Sequence, residues 1–184
     1  MDSNPEGFNF SALVAAIHRV NENMAAQAGR AVNVSLTLRN WMIGAYIDKY
    51  ELNGSDRADY GDKLLSELAK RLTGINVSNS NRRQLYRYLR FYRLYPQIVG
   101  TLSAQLKDMF PAGIQPEEKV GTPSPQLQLP PEKLMYRLSY SHLGLIVDLD
   151  DPLKRTFYEI ESIRGNWSVR ELKRQIGSLY PNVA

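Results

Sequence analysis

The chain has 184 residues, 43% of them hydrophobic and 23% charged, with a formal net charge of +4. This is the composition of a globular protein able to bury a real core, and its positive excess is too mild to name a partner by itself. The absence of cysteine excludes disulfides, thiolate zinc sites and cysteine nucleophiles, and no apolar run approaches the roughly 18 residues of a membrane span.

Lack of cysteine fits a reducing compartment, and the opening MDSNPEGFNF is polar and acidic rather than signal-like. The expected location is cytoplasmic. Residues 1–9 read as a loose tail. From Phe10, Leu13, Val14, Ile17 and Val20 recur at helical spacing, which predicts a helix to about Ala28 with Gly29 as its stop. A second helix is predicted from Val32, carrying Leu36, Trp41, Ile43, Ile47 and Tyr50 and ending at Asn53-Gly54. Gly44 inside it marks a close approach by a neighbouring helix. Asp56 is a cap candidate for a third helix over 57–72, striped by Leu64, Leu65, Leu68 and Leu72 and ended by Gly74.

The stretch from Ser78 to Pro96, SNSNRRQLYRYLRFYRLYP, is the most informative in the chain. Ser and Asn at its start are N-cap residues, and Pro96 ends the helix. Leu85, Tyr88, Leu89, Tyr92 and Tyr95 gather on one face. Arg82, Arg83, Arg87, Arg90 and Arg93 form a broad arc on the other, with Tyr86 among them and no Asp or Glu in the helix. Guanidinium groups fork onto phosphates and a tyrosine ring can stack or hydrogen-bond, so this face suits a polyanion. Two blander readings stand beside it: a solvated helix face, and a surface for an acidic protein. Helix, connection, basic helix is also the outline of a helix-turn-helix, although the connection exceeds the usual three or four residues.

A short helix is expected over 96–109. Residues 111–131 hold six of the ten prolines and read as a linker. Helical patterning returns at 132–138, 141–148 and 151–164, the last with Leu153, Phe157, Ile160 and Ile163 in step. Ser168 and Glu171 form a capping box for a final helix striped by Val169, Leu172, Ile176 and Leu179. The sequence thus predicts an all-α multi-helix bundle: a tail (1–9), a helical domain (10–110), a linker (111–131), a second block packing on the first (132–180) and a short end (181–184).

No catalytic constellation emerges. His18 and His142 lie outside any ligand-spaced motif, and no phosphate-binding glycine loop or nucleophile elbow is present. Glu171 and Lys173, preceded by Asp148, Asp150 and Asp151, suggest a metal-dependent nuclease centre only superficially. On a helix Glu171 and Lys173 point about 200° apart, and the aspartates serve better as caps. Neither metal nor cofactor is expected.

Several segments together resemble a known family. They are Arg39-Asn40-Trp41-Met42-Ile43-Gly44, Arg57-Ala58-Asp59-Tyr60-Gly61-Asp62-Lys63-Leu64-Leu65, Asn81-Arg82-Arg83-Gln84-Leu85, Leu138-Ser139-Tyr140-Ser141-His142 and Asn166-Trp167-Ser168-Val169-Arg170-Glu171-Leu172. In this order they resemble the N-terminal domain of the YhcG-like bacterial proteins (domain of unknown function 1016). The resemblance covers roughly residues 12–180. It implies a winged-helix-like, DNA-binding type of module that normally precedes a nuclease domain of the PD-(D/E)xK class. The last residues, from Leu179 to Ala184, do not look like that continuation, so the expected chain lacks the nuclease half.

The reading is therefore a non-catalytic nucleic-acid-binding module, most simply for DNA, with Arg82, Arg83, Arg87, Arg90 and Arg93 on phosphates and Tyr86 stacking or hydrogen-bonding. The alternative is a protein-interaction or oligomerisation domain, docking a partner subunit, a nuclease domain or a second copy. Trp41, Trp167 and Tyr180 are its candidate anchors.

Overall fold

A computed structural model of the chain describes residues 9–53, 63–101 and 129–179. Its elements are α1 (Phe10–Asn53), α2 (Leu64–Gly74), α3 (Arg82–Leu94), a 3-10 helix (Pro96–Thr101), α4 (Pro131–Arg137), α5 (Tyr140–Val147), α6 (Pro152–Arg164) and α7 (Val169–Leu179). All are helical, and no strand occurs among the described residues. The protein is all-α as its patterning requires. The expected start of α2, the end of the 96–109 helix and the linker up to residue 128 lie outside the described residues.

Helix α1 corrects the expectation of two helices separated at Gly29. It is one element of 44 residues, opened by Asn9, whose Oδ1 accepts from the Ala12 N–H at 2.9 Å. A glycine ends a helix by adopting positive φ, and Gly29 does not adopt it. Its cost in a helix interior, about 1 kcal/mol relative to alanine, is spread against Ala25, Ala26, Ala28 and Ala31 around it. The two halves of α1 differ in surroundings. From Thr37 onward most side chains are buried, whereas residues 9–32 are almost wholly exposed. The spacing of Leu13, Val14, Ile17 and Val20 thus foretells the helix correctly but not its burial.

The inner half of α1 is the axis of the bundle. Helix α3 packs along it, α2 lies on α3, α4 packs on α1 and the 3-10 helix, and α5 packs against both α3 and α1. At the α1–α3 crossing a Cβ built on Gly44 would lie 2.0 Å from the Tyr88 carbonyl oxygen and 2.9 Å from the Tyr92 Cβ. Two backbones meet there, and only glycine fits. Trp41, fully buried one turn earlier, donates its indole N–H to the Tyr95 carbonyl at 2.9 Å and meets the Tyr92 ring edge-on at 5.1 Å. Around this junction Phe91, Ile98, Leu134, Leu143, Ile146, Tyr158 and Leu172 form the main core. Ile47, Leu85, Tyr88 and Leu89 form a second cluster against Leu65, Leu68 and Leu72 of α2.

In the second block the helix starts fall where their capping residues lie. Asp151 accepts from the Leu153 N–H at 2.8 Å, and Ser168 exchanges hydrogen bonds with Glu171 at 2.7 and 3.2 Å. Helix α6 turns only the later part of its predicted apolar stripe inward, Ile163 packing against the core. Leu153 and Phe157 are exposed, while Tyr158, Glu159 and Ser162 are buried. The polar groups explain the choice: Tyr158 donates to the Gln175 carbonyl at 3.2 Å, and the Tyr95 hydroxyl donates to Glu159. Burial pushes the pKa of both Tyr95 and Glu159 upward, and their proximity adds to the effect on Tyr95.

His142 locks α5 to the α6–α7 turn. Its Nε2–H donates to the Trp167 carbonyl at 2.9 Å, and Nδ1 accepts from the Ser139 N–H at 3.2 Å. Acceptance at Nδ1 requires the neutral ring, and burial lowers its pKa from the ordinary value.

Two outcomes follow from these contacts. Gly44→Ala forces the α1 and α3 backbones apart, with an expected loss of about 1–3 kcal/mol or more of stability in urea unfolding; an unchanged midpoint would contradict the crossing. For His142 the unfolded chain takes the proton first, so its contribution is complete above the ordinary histidine range and lost as pH falls through the lowered folded value. Glu159, raised by burial, acts in the opposite sense at lower pH. Hence the difference between wild type and His142→Gln, measured by unfolding from about pH 7 to pH 5, is expected to shrink as pH falls. A constant difference would refute the neutral-ring assignment.

Candidate nucleic-acid interface

The start of α3 is held by its own sequence. Asn76 and Asn79 take positive φ, 61° and 56°, a conformation asparagine tolerates better than most residues. Ser80 is buried and donates to the Val77 carbonyl at 2.7 Å, and the Tyr88 hydroxyl reaches back to the Asn79 carbonyl at 2.9 Å. Arg39 on α1 donates to the Ser78 carbonyl at 2.8 Å. Asn81 then caps the helix, its side chain accepting from the Gln84 N–H at 3.0 Å. The first turn of α3 is thereby presented in a fixed place, with no acidic side chain in it.

The five arginines divide into two groups. Arg87 forks onto Asp148, with Nε at 2.9 Å from Oδ1 and the second guanidinium nitrogen on Oδ2. Arg90 reaches Asp150 Oδ1 at 2.7 Å and the Leu149 carbonyl at 3.0 Å. Arg93 pairs with Asp48 at 2.6 Å and Glu51 at 2.7 Å, both on α1. Helix α3 itself holds no acid, but its neighbours do. Three arginines are therefore fastened to acids on α1 and in the α5–α6 connection.

Arg82 and Arg83 form the other group. Both are exposed and make no ion pair among the described residues. Tyr86, one turn on, is 52% exposed. These three present a small cationic and aromatic face at the amino end of α3, where free backbone N–H groups add partial positive charge. Arg39, the loop anchor, escaped the reading of the sequence because no local spacing links it to Ser78. Asp148 and Asp150 were read as caps, and only Asp151 caps. A signal was present, since Arg87, Arg90 and Arg93 recur every three residues and form one stripe.

Among the described residues, no three His, Asp or Glu side chains cluster as metal ligands. Glu171 is engaged with Ser168 in the capping box. No helix among the described residues is long and apolar enough to cross a membrane.

Comparison with known proteins adds the following. The DUF1016 N-terminal domain family matches residues 16–181. The chain is 30% identical over 169 residues to the Escherichia coli (strain K12) protein named "Putative nuclease YhcG". The match covers 89% of this chain and 43% of that protein, so the chain spans less than half the length of this relative. No solved structure matches.

The two arginine groups separate in stability. Arg93→Ala leaves the largely buried Asp48 carboxylate short of its partner, with an expected cost of about 1–2 kcal/mol after allowance for the half-exposed arginine. The Arg82→Ala/Arg83→Ala double variant is expected to stay within about 0.5 kcal/mol of wild type. Denaturant unfolding checks both, and equal losses would contradict the division.

Proposed function

The chain belongs to the DUF1016 N-terminal domain family, and on that premise we propose that it is a non-catalytic nucleic-acid-binding module, for DNA in the first instance, of a nuclease-associated protein. The observation that carries this reading is the exposed group of Arg82, Arg83 and Tyr86 at the amino end of α3. In helix-turn-helix proteins the amino-terminal part of the second helix approaches the duplex. Helices α2 and α3 have that order, but the seven residues 75–81 between them are a longer connection than the usual turn, so the likeness extends to order alone. Arg82 and Arg83 would fork onto phosphates and Tyr86 would stack on a base or donate its hydroxyl. Arg87, Arg90 and Arg93 would contribute directly only by exchanging carboxylates for phosphates, and otherwise hold the reading helix in place. Phosphate contacts confer position and affinity, not sequence choice.

Fluorescence anisotropy against labelled duplex and single-stranded DNA at several salt concentrations tests this. Two phosphate contacts give a slope of log affinity on log salt near −1.8 on duplex, and five would give about −4.5. The expected result is the shallower slope, together with a marked loss of affinity and of salt dependence in Arg82→Ala/Arg83→Ala. Binding unaffected by that double variant, or none at low salt, would overturn the reading.

A further inference from the structure

The outer half of α1 carries an apolar seam that the described residues leave exposed. Phe10, Leu13, Ile17, Val20 and Met24 alternate at spacings of three and four, the repeat that turns one stripe of a helix toward a partner helix. All five are exposed, Ile17 to 60% and Val20 to 61%. The same phase runs on through Gln27 and Ala31 into Val34, Leu38 and Trp41, where it becomes the side of α1 packed into the core. One continuous stripe is thus covered by the body of the protein at one end and, among the described residues, exposed at the other.

We propose that a second copy of this chain covers it, in an antiparallel pair of α1 helices. Two observations select this occupant and its direction. The seam is compatible with itself: beside it Val14, Ala16, Asn21, Asn23 and Ala28 are uncharged and Arg30 alone is charged, while His18, Arg19 and Glu22 lie away from it. In an antiparallel pair Arg30 stands at the level of the partner's uncharged Val14, so two copies meet without like-charge repulsion. The body fixes the direction, because beyond Val34 it already occupies the seam side of α1. Two parallel copies would bring both bodies into the same space, whereas an antiparallel pair sends each beyond the end of the other's helix. In that register Leu13 meets the partner helix at the level of its Ala31, and Val20 at the level of its Met24.

The area is sufficient for a reversible dimer. The exposed stretch from Phe10 to Ala31 is about 33 Å long. Covering its five large side chains removes on the order of 60–120 Å² each, which over two copies gives roughly 600–1,200 Å² and reaches the lower range of specific interfaces. An interface of this size implies weak, concentration-dependent association. The inference stands independently of nucleic-acid binding.

Sedimentation equilibrium over a concentration series up to about 1 mM tests it. The wild-type chain is expected to approach twice 21.0 kDa, and Ile17→Glu/Val20→Glu to remain monomeric with the same unfolding midpoint as wild type at dilution. Since the chain holds no cysteine, oxidising an equal mixture of Leu13→Cys and Ala31→Cys chains reports the direction, and mixed disulfides between the two are expected. A wild-type monomer throughout, a dimer indifferent to the glutamates, or disulfides joining two Leu13→Cys chains would each overturn the proposal. The last would do so by reversing the pairing, and the second by moving the interface elsewhere.

Discussion

The arrangement of this protein depends on one missing side chain. At Gly44 the backbone of α1 meets the backbone of α3 at Tyr88, a contact that a single methyl group would forbid. That approach lets Trp41 reach the Tyr95 carbonyl and lets Arg93 reach back to Asp48 and Glu51. Close packing of two helices without an intervening residue also sets which side of α3 remains outside. The position of the exposed arginines is therefore decided on the opposite side of the helix from where they stand.

Internal acids change the meaning of the arginine arc. A guanidinium that already holds a bidentate carboxylate is positioned, but it is not idle charge. Asp148 and Asp150 tie α3 to the α5–α6 connection, and Asp48 and Glu51 tie it to α1. Four carboxylates thus set the tilt of one helix from two directions. The face left to solvent is smaller than the arc and is concentrated at the end where the helix dipole is positive.

Much of this was legible in the sequence. The all-α class, the limits of α3, Gly44 as a close approach, and the Ser168–Glu171 cap follow from local chemistry, which acts over three or four residues. What was not legible acts over longer separations. No spacing within α3 reveals that Arg87 meets an aspartate 61 residues away. Phe91 lies off the predicted apolar face yet is fully buried, because α3 is enclosed by α1 and α5 together and a single stripe describes contact with one neighbour only. On α6, Tyr158 and Glu159 win the inward face from Leu153 and Phe157 because their polar ends find partners there. Of the six site residues expected, Arg82 and Arg83 make no ion pair among the described residues, Tyr86 is exposed beside Arg90, and Arg87, Arg90 and Arg93 are engaged by acids.

Helix α1 spans two environments within one ladder of hydrogen bonds. Inside the body its turns are held by tertiary packing, and breaking them means unfolding the protein. Beyond Asn33 toward the amino end, the turns rest on alanine-rich propagation from that ordered base and on the Asn9 cap. An isolated helix must form its own costly nucleus, but this one inherits its nucleus from the core and needs only to extend. Amide protons along α1 therefore experience a gradient of opening free energies, steepest near Gly29, where the intrinsic preference for helix is weakest. A single rod is in this sense both the most and the least durable part of the fold.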